Sequence, residues 1–295
     1  MKFTLRQLEV FLATARSQHL SRAAAGLAMS QSAASDALRE LESQFDLPLF
    51  DRIGKRLQLN DHGRLLLPQA EELLSRAQAL EDSLRGQPGT GTLKVGATLS
   101  IGNQLCIPLI DRYRRVFPGS RISLEIGNTA TISTRVANFD LDVGLIEGDI
   151  NDPALDIVPW RDDDLTLFAS PRHPLATRKS LGRADLLAAE WILRENGSGT
   201  RQTFNRVMHD LLPHLNVVLE MQQNEAIIQA VKAGMGLGCL SLLSLQDHIA
   251  RGELVPLAAR NLKFRRKFYF ITHRHKFKTS AMQHWLALCL ATAET

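Results

Sequence analysis

Residues 21–41 constrain the fold of this chain more than any other segment, because apolar residues recur there at helical spacing on both sides of a short polar turn. A first helix would bury Ala23, Ala24 and Leu27. A second would begin after Ser30, whose hydroxyl can accept a hydrogen bond from an unpaired backbone N–H. The residues that the second helix would bury are Ala34, Leu38 and Leu41. The segment therefore predicts a helix-turn-helix.

The outer face of the second helix would carry short polar side chains and one arginine. Its members are Gln31, Ser32, Ser35, Asp36 and Arg39. Such groups suit the edges of bases in the major groove of DNA. An ordinary helical hairpin with a solvated face has the same pattern, so this segment alone leaves both interpretations open.

The flanking segments favour DNA binding. An apolar stripe that would pack under the helix pair precedes it, at Leu5, Leu8, Phe11, Leu12 and Ala15. Downstream, residues 51–60 can form a two-stranded ribbon with a glycine turn. Arg52, Lys55 and Arg56 at the tip of this wing would neutralise phosphates or reach the minor groove. Residues 1–60 are thus predicted to form a winged helix-turn-helix domain that binds DNA.

This domain resembles the amino-terminal domain of LysR-type transcriptional regulators, and the residues that carry the likeness are TLRQLEVFLATARSQHLSRAAAGLAMSQSAASDALRELESQFDLPLFDRIGKRLQLNDHGRLLL. The resemblance extends over the whole chain and is greatest to the YeiE/FinR-like branch. It implies a homotetrameric regulator with RNA polymerase as a candidate partner and a sulfur oxyanion such as sulfite as effector. Asp36 departs from the basic or amide residue of many members, which bears on base preference rather than on the fold.

Length and composition set the broad class of protein. A chain of 295 residues with 44% hydrophobic and 22% charged residues is typical of a globular protein with two or three domains. The net charge of +4 permits a polyanionic partner without requiring one. We find no apolar run typical of a signal peptide or a membrane helix. The three cysteines have no metal-binding spacing. A cytoplasmic protein without metal or cofactor is therefore expected.

A long amphipathic helix is predicted over residues 61–86, starting after Asn60 or Asp61. Its apolar stripe comprises Leu65, Leu66, Ala70, Leu73, Leu74, Ala77, Leu80 and Leu84. The side chains expected to face solvent are Glu71, Glu72, Arg76, Glu81 and Asp82. At ~1.5 Å per residue the helix exceeds what a small winged domain needs. We therefore expect it to pair with a second copy, with packing on the next domain as the alternative. Residues 87–91 are predicted to form a hinge.

Alternating strands and helices follow the hinge and predict parallel sheets covered by helices. One lobe would comprise residues 92–162 and 265–295, and the other residues 163–264. Two chain crossings would then create a hinged cleft, as in periplasmic binding proteins. The family's effector domain has this arrangement, by resemblance. Within the first lobe, a helix is expected over residues 101–117, ending before Pro118.

Polar residues at four strand-to-helix turns would face this cleft, because helix N-termini and the carboxyl ends of strands meet there. The candidate effector-binding residues are Thr98, Ser100, Asn128, Thr129, Glu147, Ser198, Thr200, Arg201 and Asn224. Neutral donors, helix dipoles and Arg201 would suit a small anion. For each turn alone, helix capping is the alternative. Glu147 would repel an anion unless it is protonated or paired with Arg201 or Arg194, so it is a candidate selectivity or pH element, with simple ion pairing as the favoured alternative.

Other function classes have weaker support. Ser198 lies in Gly-Ser-Gly rather than in a nucleophile elbow, and neither a P-loop lysine nor a zinc-protease motif occurs, so we expect no enzymatic activity. A redox-sensing regulator that uses Cys239 stays open as an alternative, although a buried thiol is ordinarily inert. A solute-binding protein is disfavoured by the winged domain and by the absence of an export signal.

Overall fold

The computed structural model describes residues 2–54, 56–84 and 92–292, and for residues 82 and 83 the backbone alone. Lys55 at the wing tip and the predicted hinge, residues 87–91, lie outside the described residues. The description below keeps to the rest of the chain.

The amino-terminal part contains three helices and a two-stranded ribbon. These elements are α1 (Leu5–Ser17), α2 (Leu20–Gly26), α3 (Gln31–Ser43), β1 (Phe50–Ile53) and β2 (Arg56–Leu59). Helix α1 begins with a capping box in which Thr4 and Gln7 each bond the other's backbone N–H. Leu8, Phe11 and Leu12 of α1 pack in one core with α3, as their spacing predicts. The ribbon is antiparallel, and Gly54 adopts φ +61° at its turn.

Helix α4 (Asp61–Leu84) follows, and the Asn60 side chain caps it by accepting from Gly63 N at 2.9 Å. Its apolar residues divide between two faces. Leu66, Ala70 and Leu74 pack on the core of the amino-terminal domain. On the other face, Leu65 is 69% exposed and Leu80 is 62% exposed.

One residue of α4 contradicts the amphipathic pattern. Glu71, expected to face solvent, is only 4% exposed. It forms an ion pair with Arg16 of α1, and Lys276 Nζ lies 3.9 Å from its Oε2. Burial raises the pKa of Glu71, and the two cations oppose that shift. The partners come from distant parts of the chain, so helical spacing could not reveal the pairing.

The remaining residues form two α/β lobes. The elements of the chain up to the second lobe's last helix are β3 (Thr92–Thr98), α5 (Leu99–Ile101), α6 (Ile107–Val116), β4 (Arg121–Gly127), α7 (Thr129–Ala137), β5 (Val143–Glu147), β6 (Leu155–Ala169), α8 (Arg183–Ala188), β7 (Glu190–Arg194), α9 (Gly199–Val207), β8 (Asn216–Met221), α10 (Asn224–Lys232), β9 (Leu237–Ser241) and α11 (Leu242–Ala250). The last elements are β10 (Val255–Leu257), β11 (Arg265–His273) and α12 (Ser280–Ala291).

Two long strands connect the lobes. In the first lobe β3 pairs in parallel with β4 and β5, and in the second β7 pairs in parallel with β8 and β9. Between them, β6 and β11 run antiparallel from Leu155↔His273 to Asp164↔Arg265. The described strands follow the order β4-β3-β5-β11-β6-β9-β7-β8, with β10 beside β6. The predicted two-lobed α/β architecture is confirmed.

Each lobe has its own aromatic core. Trp160 and Trp285 are buried in the first lobe, and Trp191 and Phe204 in the second. The helix expected over residues 101–117 is present as a helical run from Leu99 to Val116, in which the segment Gly102–Cys106 between α5 and α6 is π-helical. Pro108 lies in the first turn of α6, where its missing N–H interrupts the α-helical bonding pattern.

Candidate functional site

The outer face of α3 is as the sequence predicts. Gln31, Ser32, Asp36 and Arg39 are exposed and Ser35 is half-buried, whereas Ala34, Leu38 and Leu41 are buried. Ser30 caps the helix by accepting from Ala33 N at 3.2 Å. Arg39 Nη1 lies 3.4 Å from Asp36 Oδ1, and these side chains are 74% and 71% exposed. Ser32 Oγ lies 3.0 Å from Ser30 Oγ. The helix therefore presents hydrogen-bonding groups whose contacts are local and exposed to water.

The wing carries exposed basic residues of its own. Arg52 and Arg56 are exposed on β1 and β2. A hydrogen bond from Leu57 N to Gln18 O, 2.9 Å long, ties the ribbon to the end of α1. The wing is thus held at a defined angle to the helices, while its guanidinium groups stay solvated.

The cleft between the lobes is closed by direct hydrogen bonds. Asn128 caps α7 and donates from Nδ2 to Glu195 Oε1 at 2.9 Å. Thr129 Oγ1 donates to Glu147 O at 2.7 Å and accepts from Gly199 N at 3.2 Å. A Cβ on Gly199 would lie 1.9 Å from Glu147 O. Only glycine at this position lets the N-terminus of α9 approach β5 so closely.

A buried ionic group, which we call the Arg266 cluster, lies where the long strands cross between the lobes. Its members are Ser100, Glu147, Asp163, Thr200 and Arg266. Arg266 Nε donates to Asp163 Oδ2 at 2.6 Å, and Arg266 Nη1 donates to Thr200 Oγ1 at 2.9 Å. Arg266 Nη2 lies 3.1 Å from Glu147 Oε2 and donates to Ser100 Oγ at 3.5 Å. The side chains of Arg266 and Glu147 are each 1% exposed.

The two carboxylates of the cluster differ in how they are satisfied. Asp163 accepts from Ser241 Oγ at 2.7 Å as well as from Arg266. Burial raises the pKa of Asp163, and Arg266 opposes that shift. Glu147 Oε1 accepts from Thr200 Oγ1 at 3.1 Å, but among the described residues none donates a hydrogen bond to Glu147 Oε2. Thr98 Oγ1, also buried, has no hydrogen-bond partner in the described part of the chain either.

The other predicted effector residues lie outside this cluster. Arg201 donates from Nη1 to Arg194 O at 2.7 Å and to Glu220 Oε2 at 2.8 Å. Arg194 is itself buried against Glu195 and donates to Asn224 Oδ1 at 2.8 Å. Glu147 thus pairs with Arg266 rather than with Arg201 or Arg194, the two partners that the sequence suggests. Ser198 caps α9 by accepting from Arg201 N at 3.5 Å.

Sequence reasoning missed Arg266 and Asp163 as members of the cleft. A usable signal existed, because side chains alternate between the two faces of a strand. Arg266 shares its face of β11 with the buried Phe268 and Phe270, and Asp163 shares its face of β6 with the buried Leu165. A charged residue in register with a core face predicts a buried ion pair.

A polar pocket of about 340 Å³ also opens between the lobes, beside α7 and α9. Ser133, Asn196, Arg201, Gln202 and Asn205 contribute to its wall. Gln202 fixes the far rim by donating to Asp149 O and accepting from Asp149 N, both at 2.9 Å. The pocket lies at the same inter-lobe edge as the predicted Thr129 and Ser198.

The cysteines are buried structural residues. Cys239 is 1% exposed, and burial raises the pKa of its thiol to about 12. A protonated thiol is a poor nucleophile. Within the described part of the chain there is no group of three or more histidine, cysteine or acidic residues arranged to hold a metal ion. None of the described helices is both long and apolar enough to span a membrane.

Comparison with known proteins decides the family. Residues 5–64 match the bacterial regulatory helix-turn-helix protein, lysR family, and residues 86–294 match the LysR substrate binding domain. The chain belongs to the LysR family of transcriptional regulators. It is 39% identical over 289 residues to the HTH-type transcriptional regulator YeiE of Escherichia coli strain K12, covering 98% of both chains.

Two solved structures place this LysR-family chain among its structural neighbours. A full-length OxyR variant from Pseudomonas aeruginosa superposes with a TM-score of 0.76 at 21% identity, covering 100% of this chain and 95% of that one. The regulatory domain of CcmR from Synechocystis PCC6803, in complex with 2-PG, gives a TM-score of 0.65 at 28% identity over 70% of this chain and 98% of that one. The chain is a DNA-binding transcriptional regulator with an effector-binding domain rather than an enzyme.

Proposed function

We propose that this regulator acts in the cytoplasm and binds promoter DNA under the control of a small anionic effector, with sulfite as the first candidate. The observation that carries the proposal is the Arg266 cluster, which joins a guanidinium to hydroxyls from both lobes at the carboxyl ends of buried strands. The guanidinium and these hydroxyls are donors of the kind that an oxyanion requires, and they lie beside two carboxyl groups, Glu147 and Asp163, that pair with the same guanidinium. Resemblance of the sequence to the YeiE/FinR-like branch supports sulfite as the candidate effector.

DNA recognition is assigned to α3 and the wing. Gln31, Ser32, Ser35 and Arg39 would contact base edges or the adjoining backbone, with Asp36 biasing the base preference. Arg52, Lys55 and Arg56 would contact phosphates. The exposure of most described members of this set supports the assignment, because the contacts of Arg39 with Asp36 and of Ser32 with Ser30 are local, solvated and exchanged at little cost on binding DNA.

Pairing of two chains through α4 would bring two recognition helices to a two-fold DNA site. Exposed leucines on α4 support this pairing, as does an adjoining apolar groove of about 420 Å³ whose wall includes Phe45, Leu47 and Leu73. Effector domains would join two dimers into a homotetramer, and RNA polymerase would be a further partner.

Effector binding would act through lobe closure. The domains assigned are residues 1–60 for DNA binding, 61–86 for pairing, 87–91 for the hinge, 92–162 with 265–295 for the first lobe, and 163–264 for the second. An anion that contacts both lobes stabilises the closed arrangement and so shifts the population of orientations of the DNA-binding domains. The proposed contacts are Thr98, Ser100, Asn128, Thr129, Glu147, Ser198, Thr200, Arg201 and Asn224, with Arg266 added.

Two measurements on the full chain test this function. Isothermal titration with sodium sulfite, sulfate and phosphate at one pH should give saturable binding of sulfite in preference to at least one of the others. A gel-shift assay with the chain's own promoter region should show DNA binding whose mobility or affinity changes with sulfite. Equal or absent binding of all three anions would exclude sulfite as the specific effector. Failure to bind the promoter region at low salt would contradict the assignment of α3 to DNA recognition.

A control variant separates effector contact from general damage. Thr200→Val removes the hydroxyl that Arg266 and Glu147 share, while Thr134→Val makes the same change on α7 away from the cluster. Sulfite affinity should fall in the first protein and stay unchanged in the second. An equal loss in both would mean that the effector binds elsewhere.

A further inference from the structure

The amino-terminal domain touches the first lobe of the same chain through a small group of charges, which we call the Arg16 contact. Arg16 at the end of α1 donates from Nη2 to Phe139 O at 3.3 Å, and its Nε lies 3.8 Å from Asp140 Oδ1. From the lobe, Lys276 Nζ lies 3.9 Å from Glu71 Oε2 on α4. Two helices of the amino-terminal part thus meet two loops of the first lobe.

The Arg16 contact is polar and can separate without opening a core. The apolar core of the amino-terminal domain is built from residues 3–74, and the described cores of the first lobe contain none of these residues. A cavity of about 380 Å³ adjoins the contact, lined by Gln58 and Arg64 of the amino-terminal part and by Asn138 of the lobe. Domains joined by a small polar contact are expected to move relative to one another.

The turn that receives Arg16 has an unusual backbone conformation. Phe139 adopts φ +59°, in the left-handed region that a bulky side chain rarely occupies. Backbone outliers of this kind cluster at segments that switch between states. Asp140 N donates to Arg135 O at 2.9 Å, which fixes the turn to the end of α7. A movement of α7 therefore moves the atoms that Arg16 contacts.

Helix α7 connects this turn to the cleft. At its N-terminus, Thr129 Oγ1 accepts from Gly199 N at 3.2 Å. Next to it, Ala130 N donates to Gly197 O at 3.1 Å, so the second lobe holds this end of the helix directly. The nine residues of α7, at ~1.5 Å each, form a short rod of about 13 Å. A shift of the second lobe against the first is thus passed from one end of α7 to the other.

We propose that the Arg16 contact is an intramolecular latch that holds the DNA-binding domain against the first lobe, and that α7 transmits the state of the cleft to it. This inference deepens the proposed function, because it names the path by which lobe closure reaches α1. The path continues to the wing, since Leu57 N donates to Gln18 O, two residues beyond Arg16. Closure of the cleft therefore changes promoter affinity through the orientation of α1 and the wing.

The test measures coupling between the two ends of α7 and requires no effector. Thr129→Val removes the hydroxyl at the cleft, and Arg16→Met removes the guanidinium at the latch. Fluorescence anisotropy with a labelled promoter fragment gives the affinity of the unmodified chain, of each variant and of the double variant. Alone, Thr129→Val should change promoter affinity by about fivefold or more. Combined with Arg16→Met, it should change affinity by less than about twofold, as expected for independent sites.

Two control variants match these changes. Thr134→Val alters an exposed threonine of α7 and should change promoter affinity by less than about twofold. Arg6→Met removes an arginine of α1 whose Nη1 donates to Glu9 Oε2 at 2.7 Å within the amino-terminal domain. The effect of Thr129→Val should persist in the Arg6→Met protein. An effect of Thr129→Val that is equally large with and without Arg16→Met would overturn the latch.

A second variant keeps the test decisive if Arg16→Met does not fold, as judged by its far-ultraviolet circular dichroism. Lys276→Met then breaks the contact from the lobe side and takes its place in the comparison. It should reduce the effect of Thr129→Val on promoter affinity in the same way. Retention of the full effect in Lys276→Met would contradict the proposal.

Amide hydrogen exchange distinguishes failure of the latch from failure of the proposed function. In the full chain without DNA, Thr129→Val should make residues 14–18 at the end of α1 exchange faster, because the latch opens more often. Thr134→Val should leave their exchange unchanged. Unchanged exchange in Thr129→Val would overturn the latch and leave the gel-shift and sulfite measurements to decide the function. If the chain binds no promoter DNA, the proposed function fails, and the exchange of residues 14–18 alone decides the latch.

Discussion

Two ion pairs of similar length lie in opposite environments in this molecule. Arg39 and Asp36 on α3 approach to 3.4 Å with side chains 74% and 71% exposed. Arg266 and Glu147 between the lobes approach to 3.1 Å with side chains 1% exposed. Water can replace the first pair at little cost, since exposed pairs contribute about 0–1 kcal/mol. The second pair has no such substitute, and removal of one partner strands a buried charge.

The difference matches what the two regions are proposed to do. A surface that reads DNA must exchange its internal bonds for bonds to phosphates and bases, so weak, solvated contacts suit it. A site that discriminates between small anions must hold its groups at fixed distances without water, so buried and mutually bonded contacts suit it. The predictions below test this contrast from its largest expected consequence to its smallest.

Replacement of Arg266 by methionine should give the largest effect. It leaves Glu147 and Asp163 buried without their cation, which costs about 3–5 kcal/mol in the free energy of unfolding. The three tryptophans, Trp160, Trp191 and Trp285, all lie in the two lobes, so the midpoint of urea unfolding followed by tryptophan fluorescence reports this region.

The matched control is the neighbouring Lys267→Met. Lys267 pairs with Asp162 at 2.8 Å, but these side chains are 53% and 81% exposed. Its free energy of unfolding should change by no more than about 0.5 kcal/mol. A similar loss of stability in both proteins would mean that burial does not determine how much an ion pair contributes here. It would contradict the comparison between buried and exposed pairs.

Gly199→Ala should give an intermediate effect, because it adds a methyl group where the lobes touch. The new Cβ would lie 1.9 Å from Glu147 O, and relief of such overlap by backbone movement costs about 1–3 kcal/mol. We expect a lower urea midpoint together with weaker sulfite binding, because the lobes are held apart.

Gly127→Ala is the control for that change. There the nearest atom, Ile132 Cδ1, lies 3.4 Å from the added Cβ, an ordinary contact. Unfolding midpoint and sulfite affinity should stay close to those of the unmodified chain. Loss of sulfite binding in both proteins would mean that lobe contact at Gly199 is not what the effector requires.

The same contrast explains which parts of the molecule could be predicted from sequence. The buried face of α3 was predictable because Ala34, Leu38 and Leu41 recur at helical spacing. The remaining residues of the helix are then assigned to its outer face. The two α/β lobes and the two chain crossings follow from alternating strands and helices. In these regions, the pattern of apolar residues along the sequence is enough to predict which residues are buried in the folded chain.

The centre of the cleft could not be predicted in the same way. Arg266 bonds to Asp163, which is 103 residues away in sequence, and neither residue lies at a strand-to-helix turn. Glu71 illustrates the same problem, because its partner Arg16 lies 55 residues earlier. Pairing of buried charges depends on how distant elements pack, whereas spacing within one element shows only which face is covered.

On the DNA side, Arg52→Ala should change salt dependence rather than stability. If Arg52 contacts a phosphate, the slope of the logarithm of the association constant against the logarithm of salt concentration should become shallower by about 0.9 per contact in each chain. Fluorescence anisotropy with a labelled promoter fragment measures it. Arg115→Ala, at an exposed arginine of the first lobe, should leave the slope unchanged. An unchanged slope in Arg52→Ala would contradict the role of the wing.

Cys239→Ser should produce the smallest effect. It tests whether a buried group outside the ion pairs is as unreactive as its burial implies. Cys239 is as buried as Arg266, and burial holds its thiol protonated with a pKa of about 12, so hydrogen peroxide meets almost no thiolate. Promoter affinity should therefore be unchanged by peroxide in the unmodified chain and in Cys239→Ser alike.

N-ethylmaleimide should label this residue slowly in native protein and rapidly in urea. Were peroxide to abolish DNA binding in the unmodified chain and spare Cys239→Ser, a redox switch would replace the anion as the signal, because a buried group would then be reactive.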